Sequence, residues 1–149
     1  MVHILVTGGL GYIGSHTVIE LIEAGYEPIV IDNLSESPIE VKSRIERLAG
    51  REIIFRQVEM CNRSEIDAVF EEFPTIAGTI HFAAFLLVNE SVDLPLKYYQ
   101  NNLVSTMNLL QSMQEHGVKN IVFSSSCTVY GTPDNPHVDE NAPVQPAES

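Results

Sequence analysis

The sequence predicts an α/β fold built on a doubly wound parallel sheet. Three observations lead there. Short β-branched runs recur along the chain, longer stretches with helical apolar spacing separate them, and the first junction is a glycine-rich turn. At 149 residues, 44% of them hydrophobic, the chain is one domain's worth and can bury a real core.

Taken in order, Val2–Val6 is a buried strand. From Ile13 the stripe Ile13, Thr17 and Leu21, with Val18 and Ile22, fits a helix that Gly25 ends as its C′ residue. Pro28–Ile31 is a second strand closed by Asp32. Pro38 opens a helix at N1, with Val41, Ile45 and Leu48 on its inner face and Gly50 after it. Ile53–Phe55 is strand three, Ser64–Phe73 a helix stopped by Pro74, and Thr79–Ala83 strand four. Leu94–Glu115 is the longest helix, marked by Tyr99, Leu103, Met107, Leu110 and Met113 and ended by Gly117. Ile121–Ser124 is strand five, and the chain turns loop-like beyond Tyr130, with Pro133, Pro136, Pro143 and Pro146. Right-handed crossovers and the usual order of doubly wound sheets give strands 3-2-1-4-5. Ligands in such sheets lie at the carboxyl ends of the strands, here after Val6, Ile31, Ala83 and Ser124.

The net charge of −12 comes from 20 acidic and 8 basic residues, and such a surface repels a phosphate backbone. Nucleic acid is therefore not an expected partner. A small phosphate-bearing ligand remains open, because backbone N–H groups bind phosphate without lysine. Charged residues interrupt every apolar run well short of the ~18 residues of a membrane span. No basic n-region precedes the first strand, so the protein is read as unexported and cytoplasmic, without a membrane partner. Cys61 and Cys127 have no CxxC spacing and read as reduced thiols. The five histidines include no i, i+4 pair, so no metal is expected.

The turn Thr7-Gly8-Gly9-Leu10-Gly11-Tyr12-Ile13-Gly14 contains GxGxxG at Gly9, Gly11 and Gly14, and GxxGxxG at Gly8, Gly11 and Gly14. Either pattern alone is weak. Here it follows a strand, opens a helix, and has Asp32 eighteen residues after Gly14, which is the dinucleotide fingerprint of a Rossmann-type domain. The glycines let backbone N–H groups approach a pyrophosphate, and the helix N-terminus adds partial positive charge. Asp32 would accept from the adenosine ribose hydroxyls and repel a 2′-phosphate, which favours NAD over NADP. The competing reading is a glycine-rich connection with a capping aspartate.

The stretches VTGGLGYIGSHTV, IDNL, IHFAA, ESVDLPLKYYQNN and NIVFSSSCTVYG span nearly the whole chain in order. In these residues the sequence resembles the extended short-chain dehydrogenase/reductases, and within them the UDP-glucose 4-epimerase family. The resemblance implies that Gly8, Gly11 and Gly14, with Tyr12 and Ile13, hold the pyrophosphate, and that Asp32, Asn33 and Ser37 frame the adenosine ribose. Glu59 falls where the family usually has Asp and would accept the adenine amino group, with Met60 against the ring. Phe82 and Ala83 would line the cofactor cleft, and Asn101 would orient the nicotinamide side. Ser126 matches the family's catalytic serine, bridging the sugar 4-hydroxyl and a catalytic tyrosine. The bland alternatives are a turn-capping hydroxyl for Ser126 and a polar helix face for Asn101.

Some positions depart from the family. Leu86 stands where these epimerases often have a lysine, Ser105 and Ala84 replace glycines, and the YxxxK tyrosine is expected just beyond Ser149. The expectation is thus an incomplete NAD-binding domain over 1–149, from a parent that interconverts UDP-glucose and UDP-galactose by transient oxidation at C4 and forms a homodimer. The chain alone should be inactive. Its fifth strand should lack a neighbour, and Tyr99, Leu103, Met107 and Leu110 should be partly uncovered. The alternatives are another nucleotide-sugar epimerase, a 4,6-dehydratase, or a non-catalytic NAD-sensing module. The dehydratase is disfavoured because its β-elimination needs a carboxylic acid and a carboxylate base, which that family supplies as Asp-Glu where Cys127-Thr128 stands here.

Overall fold

The computed structural model describes residues 1–131 and 137–146. Five strands form one parallel sheet in the order β3-β2-β1-β4-β5. They are β1 (His3–Thr7), β2 (Glu27–Asp32), β3 (Ile54–Gln57), β4 (Ile76–His81) and β5 (Ile121–Phe123). The helices are α1 (Tyr12–Glu23), α2 (Glu40–Ala49), α3 (Arg63–Glu72), α4 (Val88–Asp93) and α5 (Pro95–Glu115), and a 3₁₀ turn covers Cys127–Tyr130. The expected class and strand order are both found. Pro133 and Pro136 lie outside the described residues.

Side chains alternate across a strand, so β1 and β2 feed two cores at once. Leu5, Ile29 and Ile31 pack on one face with Ile66, Val69, Phe70, Leu109 and Met113 of α3 and α5. Val6 and Val30 pack on the other with Val18 of α1 and Ile45 of α2. Gly25, Gly50 and Gly117 take positive φ after α1, α2 and α5, where a helix ends most easily in a residue without Cβ. Among the described residues no helix is long and apolar enough to cross a membrane.

Several sequence expectations need correction. Leu48 is 70% exposed, so α2 buries Ile45 with only partial help from Val41. Pro38 precedes α2 instead of occupying N1: the N-cap is Ile39, and Val41 N–H donates to the Pro38 carbonyl. Strand four runs three residues earlier at its start and ends at His81, leaving Phe82 and Ala83 in the connection. A separate helix, α4, precedes α5; it buries no side chain, so no apolar stripe announced it. In α5 the core face is Tyr98, Ser105, Leu109, Ser112 and Met113, while Tyr99, Leu103, Met107 and Leu110 are 46–58% exposed. Of the apolar stripe read along this helix, only Met113 faces the core. The expected uncovering of the other four is found, and β5 is exposed along its length.

The two faces of α2 make a direct comparison. Ile45→Ala should cost roughly 2–5 kcal/mol, and Leu48→Ala should stay within about 0.5 kcal/mol. Urea unfolding of both variants measures the difference.

Candidate functional site

β1 ends at Thr7 and the chain enters the turn at Gly8, whose φ of +63° favours glycine. A Cβ on Gly8 would lie 2.8 Å from the Ala83 nitrogen, in the connection after β4. A Cβ on Gly14 would lie 2.3 Å from the Gly8 carbonyl oxygen, so α1 rests directly on the turn. Gly11 closes the turn by donating to the Gly8 carbonyl at 3.1 Å, and its own carbonyl accepts from Ser15 at 2.9 Å. Gly11 is also the N-cap of α1 and has no side chain to cap it, and the first turn carries no acidic residue. The first-turn N–H groups therefore meet no side-chain acceptor from the cap, and the exposed Tyr12 and Ile13 flank them.

Asp32 closes β2 and is buried. Its Oδ2 accepts from Leu10 N–H at 3.1 Å and its Oδ1 from Leu34 N–H at 2.9 Å. The carboxylate thus staples the glycine turn to the chain after β2, where Leu34 is held at φ +64°. A carboxylate offers about four acceptor positions, so two backbone bonds leave room for hydroxyl donors. Asn33 donates from Nδ2 to Glu59 Oε2 at 3.0 Å, and Glu59 Oε1 accepts from Cys61 N–H at 3.0 Å. Ser37 is half-buried, with its hydroxyl beside Gly11. Met60 is 6% exposed and packed in the core among Val58 and Ile66.

Phe82 N–H donates to the Thr7 carbonyl at 3.1 Å and Ala83 N–H to Thr7 Oγ1 at 3.3 Å, so this connection follows the end of β1. Asn101, half-buried on α5, donates to Asn102 Oδ1 at 2.9 Å. Asn102 in turn clamps Phe85: Oδ1 accepts its N–H at 2.9 Å and Nδ2 donates to its carbonyl at 3.2 Å. Ser126, after β5, is the N-cap of the 3₁₀ turn. Its Oγ accepts from Thr128 N–H at 3.2 Å and shares a 2.6 Å hydroxyl contact with Thr128. The 124–128 segment is exposed, so this hydroxyl is open to a ligand.

The structure gathers the glycine turn, Asp32, Asn33, Ser37 and Glu59 around the ends of β1, β2 and β3. Phe82 and Ala83 join them across β1. Ser126 stands apart beyond the end of β5, bonded within its own turn. Sequence reasoning did not single out Thr7, His81, Asn102 or Thr106. The signals were present for two of them, in the HFAA and NN strings. His81 is buried between β1 and α5, and burial pushes its pKa down to about 4. Tyr98, on the buried side of α5, is pushed up to about 12 by burial and by its 2.6 Å bond to Glu90. Burial also raises the Cys61 thiol, with help from Glu59, so Cys61 is poorly nucleophilic.

The fold and the turn define a Rossmann-type α/β domain. The sequence pattern of the family described as GDP-mannose 4,6 dehydratase matches residues 5–149, and the chain belongs to that family. It is similar to the UDP-glucose 4-epimerase of Dictyostelium discoideum, with 52% identity over 95% of this chain and 41% of the relative. The Bacillus subtilis UDP-glucose 4-epimerase is 49% identical over the same shares. Among solved structures, the Stenotrophomonas maltophila UDP-glucose 4-epimerase, with bound NAD and formylated UDP-arabinopyranose, superposes with a TM-score of 0.92. That match has 39% identity over 99% of this chain and 44% of the other. The Bifidobacterium longum enzyme, in complex with NAD⁺ and UDP, gives 0.90 at 42% identity, over 96% and 42%. The chain spans about two fifths of the length of the curated relatives it matches. The resemblance seen in the sequence is borne out.

The buried imidazole predicts a pH effect on stability. The unfolded chain takes up this proton near 6.5 and the folded chain only near 4. Stability is therefore full above pH 6.5 and falls by roughly 3 kcal/mol as the pH drops to about 4. Urea midpoints between pH 7 and 4.5 should slope downward in the native protein and flatten in His81→Asn.

Proposed function

We propose that residues 1–149 are the NAD-binding part of a UDP-glucose 4-epimerase, an isomerase that interconverts UDP-glucose and UDP-galactose. The observation that carries this reading is the high identity to UDP-glucose 4-epimerases across nearly the whole chain. The site fits the cofactor. A cradle that a Cβ would fill, an uncapped α1 N-terminus and an acidic residue at the end of β2 are what a dinucleotide needs.

In this reading Gly8, Gly11 and Gly14, with Tyr12 and Ile13, hold the pyrophosphate. Asp32 takes the ribose hydroxyls on its free acceptor positions, with Asn33 and Ser37 beside it. Glu59 accepts from the adenine amino group, with Met60 behind it in the core. Phe82, Ala83 and Asn101 border the nicotinamide end. NAD, when bound, supplies the hydride acceptor and donor that make oxidation at C4 reversible. Ser126 holds the 4-hydroxyl proton in hydrogen bonds while it passes to a stronger base. The exposed position of Ser126 suits a group that must meet a sugar, and its Thr128 contact orients the hydroxyl.

The family's description points to 4,6-dehydration. That chemistry adds a β-elimination, which needs a carboxylic acid and a carboxylate base beside the reacting sugar. Cys127 and Thr128 follow Ser126 and can do neither. Epimerisation asks for no such pair. The apolar stripe exposed on α5 supports a homodimer, and two free cysteines suit a reducing, cytoplasmic setting.

Assay of UDP-galactose conversion by the full-length protein tests the reading. NAD-linked turnover supports it, and NAD binding without turnover would favour a sensing module. NAD⁺ should bind at least about tenfold tighter than NADP⁺ in calorimetric titration, and the reverse order would refute the Asp32 assignment. In the full-length protein Ser126→Ala should lower kcat by roughly 10²–10⁴-fold, with NAD⁺ affinity nearly unchanged.

A further inference from the structure

His81 is a buried, polar-bonded imidazole to which the chemistry above gives no task. It is the register partner of Thr7 across β1 and β4. Its Nδ1 lies 2.6 Å from Thr7 Oγ1 and its Nε2 lies 3.1 Å from Thr106 Oγ1 on α5. The hydrogen positions follow from the neighbours. Thr106 donates its one hydroxyl proton to the Asn102 carbonyl at 2.7 Å, so toward His81 it can only accept. Nε2 therefore carries the proton, and Nδ1 accepts from the Thr7 hydroxyl. Thr7 Oγ1, its proton spent, accepts from Ala83 N–H.

The result is one directional chain from Ala83 N–H through Thr7, His81 and Thr106 to the Asn102 carbonyl. Both of its ends hold the same segment. Ala83 is bonded directly, and the Asn102 side chain clamps both backbone groups of Phe85. That segment lies so near the glycine turn that a Cβ on Gly8 would stand 2.8 Å from the Ala83 nitrogen. We propose that His81 is a positioning residue for the cofactor site, in which its Nε2–H tautomer, acting through Thr7 and Thr106, fixes the 82–85 segment against the glycine turn. The proposal rests on the reading of that turn as the NAD site. The low pKa of His81 supports it, since a second proton would force both threonines to accept and reverse half of the chain.

Thr106 is far along α5 from the glycine turn in sequence and gives a clean probe. In the full-length protein Thr106→Val keeps the side-chain shape and removes the acceptor for Nε2–H. It should raise the Kd for NAD⁺ about tenfold by calorimetry. Thr106→Ser, which restores the hydroxyl, should return to within about twofold of the native value. A merely structural hydroxyl would lower the melting temperature of Thr106→Val and leave the Kd alone, which overturns the proposal. The ¹⁵N spectrum of the native protein supplies a test that needs no variant. An Nε2–H, Nδ1-unprotonated signature is expected for His81, and an Nδ1–H signature overturns the assignment. If the native protein shows the expected tautomer yet does not bind NAD⁺, the cofactor reading falls and takes the proposal with it. If it binds NAD⁺ and Thr106→Val binds equally well, only the proposal falls.

Discussion

The contact on which the site depends is the one between two pieces of backbone, Gly8 and Gly14. With no Cβ between them, the first turn of α1 sits on the end of β1 and points its N–H groups along the carboxyl edge of the sheet. Any larger residue at position 14 would push the helix off the turn or twist the turn away from Ala83. The remaining geometry builds outward from this contact. Asp32 ties Leu10 to the chain leaving β2, and Thr7 ties the end of β1 to the connection leaving β4. Three strand ends are thus fixed to one another by polar bonds at the edge, while the two apolar cores hold the strands from within.

Most of the fold was legible because its signals are local. A β-branched run buried on both faces, a helical stripe and a glycine after it can each be read in a window of ten residues. The strand order followed from crossover handedness and the usual order of doubly wound sheets. What failed was what tertiary context decides. Leu48 has the spacing of a buried residue, yet α2 lies where one row of side chains meets α1 and the next meets solvent. The apolar stripe of α5 is real, but most of it is exposed, and the buried row contains Ser105 and Ser112. No hydropathy pattern marks such small polar side chains as buried.

The candidate site divides along the same line. The glycine turn and Asp32 were readable because their chemistry is written in consecutive residues and one fixed offset. Ser126, Glu59 and Asn101 came from the family resemblance, not from any physical pattern of their own. The chain from Ala83 to Asn102 was unreadable. It depends on β1 and β4 being in register at Thr7 and His81, and on α5 crossing that register at Thr106. A histidine in a strand gives no sign of which threonines it will meet. Its burial and its two oriented bonds exist only after folding.

The charge of the chain bears on how an anionic ligand could be held at all. All eight lysines and arginines lie at position 42 or later, so the glycine turn, α1 and β2 contain neither. Lys42, Arg51, Arg56, Arg63 and Lys97 are already paired with carboxylates. A pyrophosphate at this edge would therefore be met by backbone dipoles and the α1 N-terminus, in a protein of net charge −12. That arrangement is demanding. Amide dipoles act only over short distances and only when aimed, whereas a lysine can reach and adjust. A site without cations must hold its backbone in place before the ligand arrives. The polar edge around Thr7, Asp32, His81 and Asn102 does this by linking the turn to the neighbouring connections through fixed, directional bonds.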